Sequence, residues 1–404
     1  MERIILHCDC NSFYASVETV LRPELADVPM AVCGDPKARH GIILAKNERA
    51  KRFGIKTAET IRDALKKCPS LVLVPPHHNL YEEYSRRIFA FYNTFTDQVE
   101  PFGPDEAWLD VTGSRRLFGN GEEIAEKIRE GIKENFGITV SIGVSFNKVF
   151  AKLASDYKKP DAVTVFTREN WRERIFPLPV GDLLFVGHSA QERLTALGVN
   201  TIGDLAALST PFLSENFGKV GEMLHKYSNG LDDSPVAVFG QGEPIKSIGN
   251  TFTFPRDLTL EEEVSVGLRA LADKVASRLR HHQVLATSVS ITVRDSTLHT
   301  VTRQMPLPFS THLSDDLFAA AKELLPSAWD FKKPIRMLGI CANKLFEGSE
   351  SAEQISLFDA PTDTRRRERQ KNREEAVDRI REKYGKNSIR PGVLYNSDLF
   401  EKND

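Results

Sequence analysis

The sequence predicts a multidomain protein of mixed α/β and α+β architecture, because three hydrophobic patterns follow one another along the chain. Strands and helices alternate over roughly the first 165 residues, which favours an α/β layer. Short helices separated by glycines occupy the middle of the chain. The last pattern runs strand–helix–strand–strand–helix–strand, the order of a split βαβ module. A chain of 404 residues has room for roughly two to four domains of this kind.

The α/β layer begins with an apolar run over residues 4–10, which predicts a buried strand that ends near Asp9. Asn11 and Ser12 are expected to cap a helix over residues 13–20. The later elements are, in order, a strand at 30–33, a basic segment at 37–56, a helix at 81–94, two strands joined by a turn within 99–111, a helix at 122–136 and a strand at 139–144.

The helical middle and the split βαβ module follow a change of composition near Arg168. Short helices are predicted over 182–209, and a further helix over 217–229. The module is predicted to contain strands at 248–254, 288–293, 300–307 and 336–343, with helices at 261–280 and 313–325.

A polar linker and a charged tail are predicted after Glu347. Between Arg365 and Lys386, ten Lys or Arg and five Asp or Glu leave an excess of five positive charges, whereas the whole chain has a net charge of −2. Two interpretations stay open. The segment is a basic patch that contacts nucleic acid, or it is a solvated helix with i,i+4 ion pairs.

The composition indicates a cytoplasmic protein with no membrane segment. No apolar run reaches the roughly 18 to 20 residues that a membrane span needs. The N-terminal apolar stretch turns polar by His7, which is too early for a secretory signal. The five cysteines are scattered and form no C-x-x-C pair, so neither a disulfide framework nor a zinc site is indicated.

Three carboxylates lie in apolar surroundings. Asp9 ends the first strand, and Asp105 and Glu106 enter an apolar, aromatic stretch. Alone, Asp9 is better interpreted as a helix cap, and the Asp105–Glu106 pair as turn chemistry. Together, three carboxylates at strand ends of one layer favour hard cations such as Mg²⁺. Two such ions suit phosphoryl transfer, and nearby cations for a triphosphate are Lys46, Arg49, Lys51, Arg52 and Lys159.

Three ordered motifs then resemble those of the Y-family translesion DNA polymerases. Residues 9–18 (DCNSFYASVE) resemble the family's opening motif, and residues 105–112 (DEAWLDVT) resemble its acidic motif. Residues 141–155, running on to Lys159 and Pro160, are similar to its third motif. Residues 178–187 resemble the thumb's helix-hairpin-helix. The resemblance spans about residues 1–345.

The resemblance implies the fold class of a right-hand polymerase with palm, fingers, helix-hairpin-helix thumb and a split-βαβ little finger. The implied domains are a palm at 1–18 and 78–166, fingers at 19–77, a thumb at 167–240, a little finger at 241–346, and a linker with a charged tail at 347–404.

The resemblance also implies roles for individual residues. Asp9, Asp105 and Glu106 would be the catalytic carboxylates that bind two Mg²⁺ ions, with the Cys10 carbonyl assisting. Tyr14 would be the steric gate against ribonucleotides. Lys51 and Lys159 would bind the triphosphate. The sequence departs from the family pattern at Asn11, Glu48, Lys51, Pro104 and Phe185, where an acidic residue, Tyr, Arg, an aliphatic residue and Gly are common.

Two further segments are expected to make intermolecular contacts. Residues 354–358 (QISLF) resemble the peptide by which bacterial polymerases bind the sliding clamp, through Gln354, Leu357 and Phe358, although outside the family a stray apolar pair would be the better interpretation. Sequence-neutral contacts to duplex DNA are expected from basic residues of the last module: Lys246, Arg256, Arg280, Arg294, Arg303, Lys332, Lys333 and Arg336.

These observations predict a monomeric, nucleoid-associated, low-fidelity DNA polymerase that acts in translesion synthesis and DNA repair. Its partners would be primer–template DNA, dNTPs and the sliding clamp. Its reaction would be two-metal nucleotidyl transfer from a dNTP to a primer 3′-hydroxyl. Two alternatives stay open: a two-metal nuclease, and a catalytically weak DNA-binding relative.

Overall fold

The computed structural model describes residues 2–36, 39, 41–242, 244–347, 361–394 and 399, with the backbone alone for 361–364. The chain divides into two compact units, Met1–Gly242 (the first unit) and Glu243–Asp404 (the second unit). Within the described ranges, no helix is long and apolar enough to cross a membrane.

The first unit contains a large central sheet and a small sheet. The central sheet has the strand order β5-β6-β1-β7-β8, and the small sheet the order β3-β2-β4. The strands are β1 (Ile5–Cys10), β2 (Met30–Cys33), β3 (Ile43–Lys46), β4 (Val72–Val74), β5 (Val99–Pro101), β6 (Glu106–Asp110), β7 (Val140–Ser145) and β8 (Val163–Val165).

Helices cover both faces of the central sheet and build the rest of the first unit. They are α1 (Phe13–Leu21), α2 (Glu48–Lys51), α3 (Ile61–Lys67), α4 (His78–Tyr92), α5 (Arg115–Phe118), α6 (Gly121–Phe136), α7 (Lys148–Tyr157), α8 (Trp171–Ile175), α9 (His188–Ala196), α10 (Ile202–Ala207), α11 (Thr210–Phe217) and α12 (Lys219–Ser228). Short 3-10 turns lie at Pro23–Asp27, Thr112–Ser114 and Val180–Asp182.

Strand β1 lies in the middle of the central sheet and is buried along its whole length. Because side chains alternate between the two faces of a strand, Leu6, Cys8 and Cys10 point into one core, which α4 and α6 complete. His7 and Asp9 point to the opposite face, where His7 contacts Ser155 of α7. The sequence therefore gives β1 one apolar face and one polar face.

Helix α7 approaches the sheet closely because Gly143 has no side chain. A Cβ atom at this position of β7 would lie 1.9 Å from the carbonyl oxygen of Ala151 and 2.3 Å from the amide nitrogen of Ser155. Any other residue would push the helix away from the strands. Gly143 thus sets how near the α7 side chains come to the polar face of β1.

The start of α1 differs from the expected cap. Ser12 adopts a left-handed conformation with φ 50° and makes no side-chain cap hydrogen bond. The Asn11 side chain binds Ser141 Oγ (2.8 Å), Thr139 Oγ1 (3.0 Å) and the amide of Asp161 (2.9 Å). Asn11 therefore ties β1 to the β7 region, and the prediction that it caps α1 is wrong.

The helical end of the first unit packs on α7 through a core that includes Phe150, Trp171 and Leu224. The helix predicted over 217–229 is confirmed as α12, which begins at Lys219 after Gly218 (φ 60°) separates it from α11. Phe185 lies in the loop before α9 with φ 68° and is exposed. A positive φ favours glycine, the residue that is common at this position of the family motif.

The second unit has the predicted strand and helix order. Its elements are β9 (Ser247–Leu258), α13 (Glu261–His281), β10 (Val284–Asp295), β11 (Thr300–Thr311), α14 (Ser314–Ala328) and β12 (Ile335–Glu347). The strands are antiparallel in the order β11-β10-β12-β9, and α13 and α14 pack on the sheet through one apolar core.

The charged tail forms α15 (Pro361–Tyr384), followed by a 3-10 turn at Gly392–Leu394. The carboxylate of Glu374 is buried; it pairs with Arg280 of α13 and accepts hydrogen bonds from the amide and hydroxyl of Ser314 at the start of α14. Asp378 lies 2.6 Å from Arg280, and Arg381 lies 2.8 Å from Asp273.

These contacts correct two expectations. The tail is helical, as one interpretation has it, but it is not only a solvated helix, because ion pairs link it to α13 and α14. Arg280 is buried and forms ion pairs with Glu374 and Asp378 of α15. The expectation that it contacts DNA is therefore wrong for this residue.

Candidate active site

Two of the predicted carboxylates meet on neighbouring strands. β1 pairs antiparallel with β6 so that Asp9 lies directly opposite Glu106. Directly opposed residues project from the same face of a sheet, so both carboxylates lie on the polar face that α7 covers. Asp105 precedes β6, and its carbonyl accepts a hydrogen bond from the amide of Cys10 at 3.1 Å. The register of β1 and β6 therefore gathers all three residues at one end of the sheet.

Asp9 is buried and paired with a lysine from the segment after α7. Its Oδ2 atom lies 2.6 Å from Lys159 Nζ, which also lies 2.6 Å from Asp156. Burial raises the pKa of Asp9 above its ordinary value and outweighs the opposite effect of Lys159. Burial would lower the pKa of Lys159, but Asp9 and Asp156 raise it to about 12, so the ammonium stays charged.

Asp105 has a raised pKa because its carboxylate is buried beside two other carboxylates. Among the described residues, its carboxylate forms no ion pair with Lys, Arg or His. Burial, with the negative charges of Asp9 and Glu106, raises its pKa to about 7. The arrangement concentrates negative charge at a place where a cation would be stabilised.

Two side chains lie against one of the oxygens of Glu106. Lys152 of α7 forms a short ion pair with Oε2, and His7 Nε2 lies 3.3 Å from the same atom. Burial alone would raise the pKa of Glu106, but the contacts with His7 and Lys152 lower it to about 2. The carboxylate is therefore ionised at neutral pH.

The chemistry of these residues fits a divalent cation. Carboxylate oxygens are the ligands that Mg²⁺ prefers, and here Asp9 lies directly opposite Glu106 and lines one cavity with Asp105. In the part of the chain that the structure describes, no three His, Cys, Asp or Glu side chains already converge on one ion position. Lys159 and Lys152 instead lie against Asp9 and Glu106.

A cavity of about 360 Å³ opens beside the carboxylates. The central sheet contributes Asp9 and Asp105 to its wall, and the small sheet region contributes Lys46, Lys51 and Thr57. Lys46 Nζ donates to Thr57 Oγ1 at 2.9 Å, and burial beside Lys51 lowers the pKa of Lys46. Carboxylates and ammonium groups therefore face one space, as a metal-bound polyphosphate requires.

Tyr14 lines the same cavity, and a second aromatic ring packs against it. Its ring stacks on Tyr81 of α4 with ring centroids 4.1 Å apart and an interplanar angle of 14°. The Tyr81 hydroxyl donates to the buried carboxylate of Glu18 at 2.5 Å, and His77 lies 2.7 Å from that carboxylate. Tyr14 is thus a fixed wall of the cavity.

The structure separates the cations that the sequence grouped together. Lys46, Lys51 and Lys159 lie at the site, but Lys51 also forms an ion pair of 2.5 Å with Glu48. Arg49 lies 3.0 Å from Asp27 and does not line the cavity. Residues 354–358, where Gln354, Leu357 and Phe358 were expected to bind the clamp, lie outside the described residues.

Sequence reasoning assigned no role to His7 and Lys152. Both were detectable in principle. His7 precedes Asp9 by two positions, so it must share a strand face with Asp9. Lys152 lies between Lys148 and Ser155, and the four- and three-residue spacings place these residues on one side of α7.

Comparison with known proteins matches nearly the whole chain. Residues 8–156 match the impB/mucB/samB family, and residues 245–357 match the C-terminal domain of that family. Residues 181–232 match the thumb domain of DNA polymerase-iota. DNA polymerase IV of Acetivibrio thermocellus is 48% identical, with 98% of each chain covered. The chain belongs to the Y family of DNA polymerases.

Other members support the same assignment. DNA polymerase IV of Moorella thermoacetica is 39% identical over 97% of this chain and 98% of its own length. DNA polymerase IV 1 of Bacillus subtilis is 35% identical over 97% of this chain and 93% of its own length. The predictions of a Y-family protein and of a DNA-directed DNA polymerase are therefore confirmed.

Solved structures of the family have the same fold. A Y-family DNA polymerase chimera, Dbh-Dpo4-Dbh, aligns with a TM-score of 0.77 at 25% identity, covering 85% of this chain and all (100%) of the chimera. DinB from Sulfolobus solfataricus aligns with a TM-score of 0.56 at 24% identity over 85% of this chain and 100% of its own. These alignments confirm the predicted polymerase fold class.

Proposed function

We propose that this chain carries out low-fidelity, template-directed synthesis across damaged DNA, with Asp9, Asp105 and Glu106 as its catalytic carboxylates. The observation that carries the proposal is the cavity in which Asp9 and Asp105 face Lys46 and Lys51. A nuclease needs carboxylates and metal ions, but it does not need lysines placed across the cavity for a nucleoside triphosphate. The same lysines argue against a relative that only binds DNA.

The proposed domains follow the Y-family order. Residues 1–18 and 78–166 form the palm, with the central sheet and its carboxylates. Residues 19–77 form the fingers, which contain the small sheet and the lysines of the cavity. Residues 167–240 form the thumb, 241–346 the little finger, and 347–404 the linker and tail, to which we add the docked helix α15.

The three carboxylates are proposed to hold two Mg²⁺ ions, with the Cys10 carbonyl as a further ligand. When bound, such ions lower the pKa of an attacking hydroxyl and offset the charge of a leaving pyrophosphate. Asp9 and Asp105 would hold the ions, because both are buried at the cavity wall and their charge is costly without a cation.

Cations of the chain bind the triphosphate of the incoming dNTP in this proposal. Lys159 leaves its ion pair with Asp9 and binds the triphosphate, and Lys51 leaves its ion pair with Glu48 to do the same. Glu48 and Lys51 are both partly exposed, so their ion pair is weak and easily replaced by a phosphate. Tyr14 excludes a ribose 2′-hydroxyl, because its ring is held in place by Tyr81.

The polymerase is further proposed to act as a monomer on nucleoid DNA in the cytoplasm and to be tethered to the sliding clamp by residues 354–358. Leu357 and Phe358 are apolar residues in a polar segment, as a docking peptide requires. Tethering raises the local concentration of the enzyme at primer ends, although it leaves the chemistry of each addition unchanged.

Primer extension with dNTPs and Mg²⁺ tests the function. Elongation supports the polymerase, shortening of the primer supports the nuclease, and binding without turnover supports the DNA-binding relative. Asp105→Ala and Glu106→Ala should each lower kcat by several orders of magnitude, since each removes a proposed metal ligand. Glu130→Ala, at an exposed carboxylate on α6, is the matched control. Undiminished extension by both active-site variants would overturn the assignment of the site.

A further inference from the structure

Helix α15 has three sides of different character, and the first of them docks on α13 and α14. Residues three and four positions apart lie on one side of a helix, and the docked side has this spacing. Each of its side chains contacts a side chain of α13 or α14. These docked residues are Arg367, Gln370, Glu374, Asp378 and Arg381.

The second side faces outward and alternates in charge. Glu368, Glu375 and Glu382 lie seven residues apart, with Lys371 and Arg379 between them. Each acid has a basic residue three or four positions away, which is the spacing that stabilises a solvated helix. This side therefore has the charge pattern of a helix surface that faces water.

The third side also faces outward but carries a single sign of charge. Arg365, Arg366, Arg369 and Arg373 (the arginine flank) are all exposed. Arg369 follows Arg366 by three positions and precedes Arg373 by four, so the like charges are neighbours on the helix surface. Like charges at these spacings destabilise a helix. The pattern of a solvated helix therefore does not account for the arginine flank.

The acidic residues of α14 do not neutralise most of this charge. In the part of the chain that the structure describes, Arg365, Arg366 and Arg369 form no ion pair. Arg373 lies 3.4 Å from Asp315, but its side chain is 60% exposed. Asp315 also pairs with Arg269, and the neighbouring Asp316 pairs with Arg367, so both acids have partners of their own.

The dimensions of the arginine flank fit a row of phosphates. At a rise of about 1.5 Å per residue, Arg366 and Arg373 lie about 10 Å apart along the helix axis. One strand of duplex DNA carries a phosphate about every 3.4 Å of its axis, so the flank is as long as roughly three phosphates. The planar guanidinium group binds two phosphate oxygens at once, which a lysine cannot do.

We propose that the arginine flank of α15 binds the phosphate backbone of duplex DNA. The ion pairs of the docked side hold α15 on α13 and α14, so the flank keeps a fixed position on the second unit. The contact is independent of base sequence and weakens as salt rises, because it is made to phosphates. It goes beyond the proposed function, since it involves none of the residues assigned to metal, nucleotide or clamp binding.

The salt dependence of DNA binding tests the proposal. The variant replaces Arg365, Arg366 and Arg369 with Gln and keeps Arg373, which also contacts Asp315. Fluorescence anisotropy of a labelled duplex, titrated with the full chain at several NaCl concentrations, gives the slope of log K against log salt concentration. We expect the slope to become shallower by roughly 2 to 3, since each phosphate contact contributes about 0.9.

Two controls separate the arginine flank from charge in general. Arg379, Lys383 and Lys386 are exposed basic residues further along the tail, and their replacement with Gln removes the same charge. Their slope should stay within about 0.5 of the parent, which is less than one phosphate contact. Lysine at the three flank positions keeps the charge and should keep the slope. In primer extension, kcat at saturating DNA should be unchanged in all these proteins.

Amide hydrogen exchange at α14 reports whether α15 stays docked in each variant. A parental slope in the Gln variant of the flank, with α15 docked, would reject DNA as the partner of this surface. Equal changes in the two Gln variants would show an effect of net charge alone and would also overturn the inference. If the triple variant loses docking, Arg369→Gln decides: the slope should change by about 0.9, and an unchanged slope rejects the contact.

Discussion

The Nζ atom of Lys159 lies 2.6 Å from the Oδ2 atom of Asp9, although the two residues are 150 positions apart in the chain. Because Lys159 is charged, it compensates the buried charge of Asp9 for as long as no other cation does so. In the proposed mechanism, the pair also keeps a cation beside the cavity until a triphosphate binds. The binding of a nucleotide would then expose Asp9 to a metal ion.

Lys159→Ala tests this link. The substitution removes a charged contact to the triphosphate, so the KM for dNTP should rise roughly 10- to 100-fold, the range expected for a charged hydrogen bond. Steady-state primer extension at varied dNTP concentration measures the change. Lys158→Ala is the matched control, because Lys158 is an exposed neighbour. An unchanged KM would remove Lys159 from the triphosphate site.

Tyr14→Ala should allow the polymerase to incorporate ribonucleotides. The ring that lines the cavity is removed, while its support by Tyr81 stays in place. We expect the preference for dNTP over rNTP, measured as a ratio of kcat/KM values, to fall by at least tenfold, or about 1.4 kcal/mol. Tyr14→Phe keeps the ring and should keep the discrimination. Equal discrimination in all three proteins would reject the steric gate.

The pKa of Asp105 predicts how metal binding depends on pH. In the folded protein the pKa of Asp105 is raised to about 7, because the folded state disfavours the ionised carboxylate. The free energy of unfolding should therefore decrease as the pH rises from the ordinary pKa of an aspartate to about 7. A divalent ion binds the charged form and offsets this loss. Mg²⁺ should therefore raise the melting temperature more at pH 8 than at pH 6. In Asp105→Asn protein this difference should largely disappear, and its persistence would assign the titration to another group.

Glu374→Ala should destabilise the second unit. The substitution removes a carboxylate that pairs with Arg280 and the acceptor for Ser314. Because it breaks a buried ion pair, it should lower the free energy of unfolding by about 3 kcal/mol. Amide hydrogen exchange of the full chain at α14 measures the loss. Glu368→Ala, at an exposed carboxylate of the same helix, should change exchange by less than about 0.5 kcal/mol. Equal protection in both variants would show that α15 does not stabilise α14.

Deletion of residues 354–358 should abolish stimulation by the sliding clamp and leave distributive synthesis unchanged. The segment precedes α15 and contains none of the proposed catalytic residues. Replacing Gln354, Leu357 and Phe358 with alanine should reproduce the effect without shortening the chain. Processivity on a primed template, with and without clamp, measures it, and full stimulation of the deleted protein would reject this contact.

Much of the fold follows from local patterns in the sequence. Strand β1 has an uninterrupted apolar run, and the split βαβ order of the second unit follows from its alternating periods of two and 3.6 residues. The carboxylates were found because they interrupt apolar segments, where a charge needs a partner. Phe185 is a related case, because its φ of 68° is the conformation for which the family commonly uses glycine.

The remaining features depend on contacts between distant segments, which local patterns do not report. Asn11 looks like a cap because it precedes a helix, yet Thr139 and Ser141 of a distant strand region satisfy its side chain. From the sequence alone, Arg280 is expected to contact DNA, but in the structure it pairs with Glu374, which lies 94 positions further along the chain. For His7, the alternation of β1 indicates a face, but only the packing of α7 supplies Ser155.

The docking of α15 also has a consequence for how the chain breaks. Its contacts with α13 and α14 are made by side chains, so they do not require an intact peptide link between Glu347 and Pro361. A protease that cuts between these two residues would leave a nicked enzyme whose fragments stay together. Salt screens buried ion pairs only weakly, and both the Arg280–Glu374 pair and Leu399 are buried in the second unit. A nicked preparation would therefore keep its tail through a salt gradient and would separate into two pieces only when it is denatured.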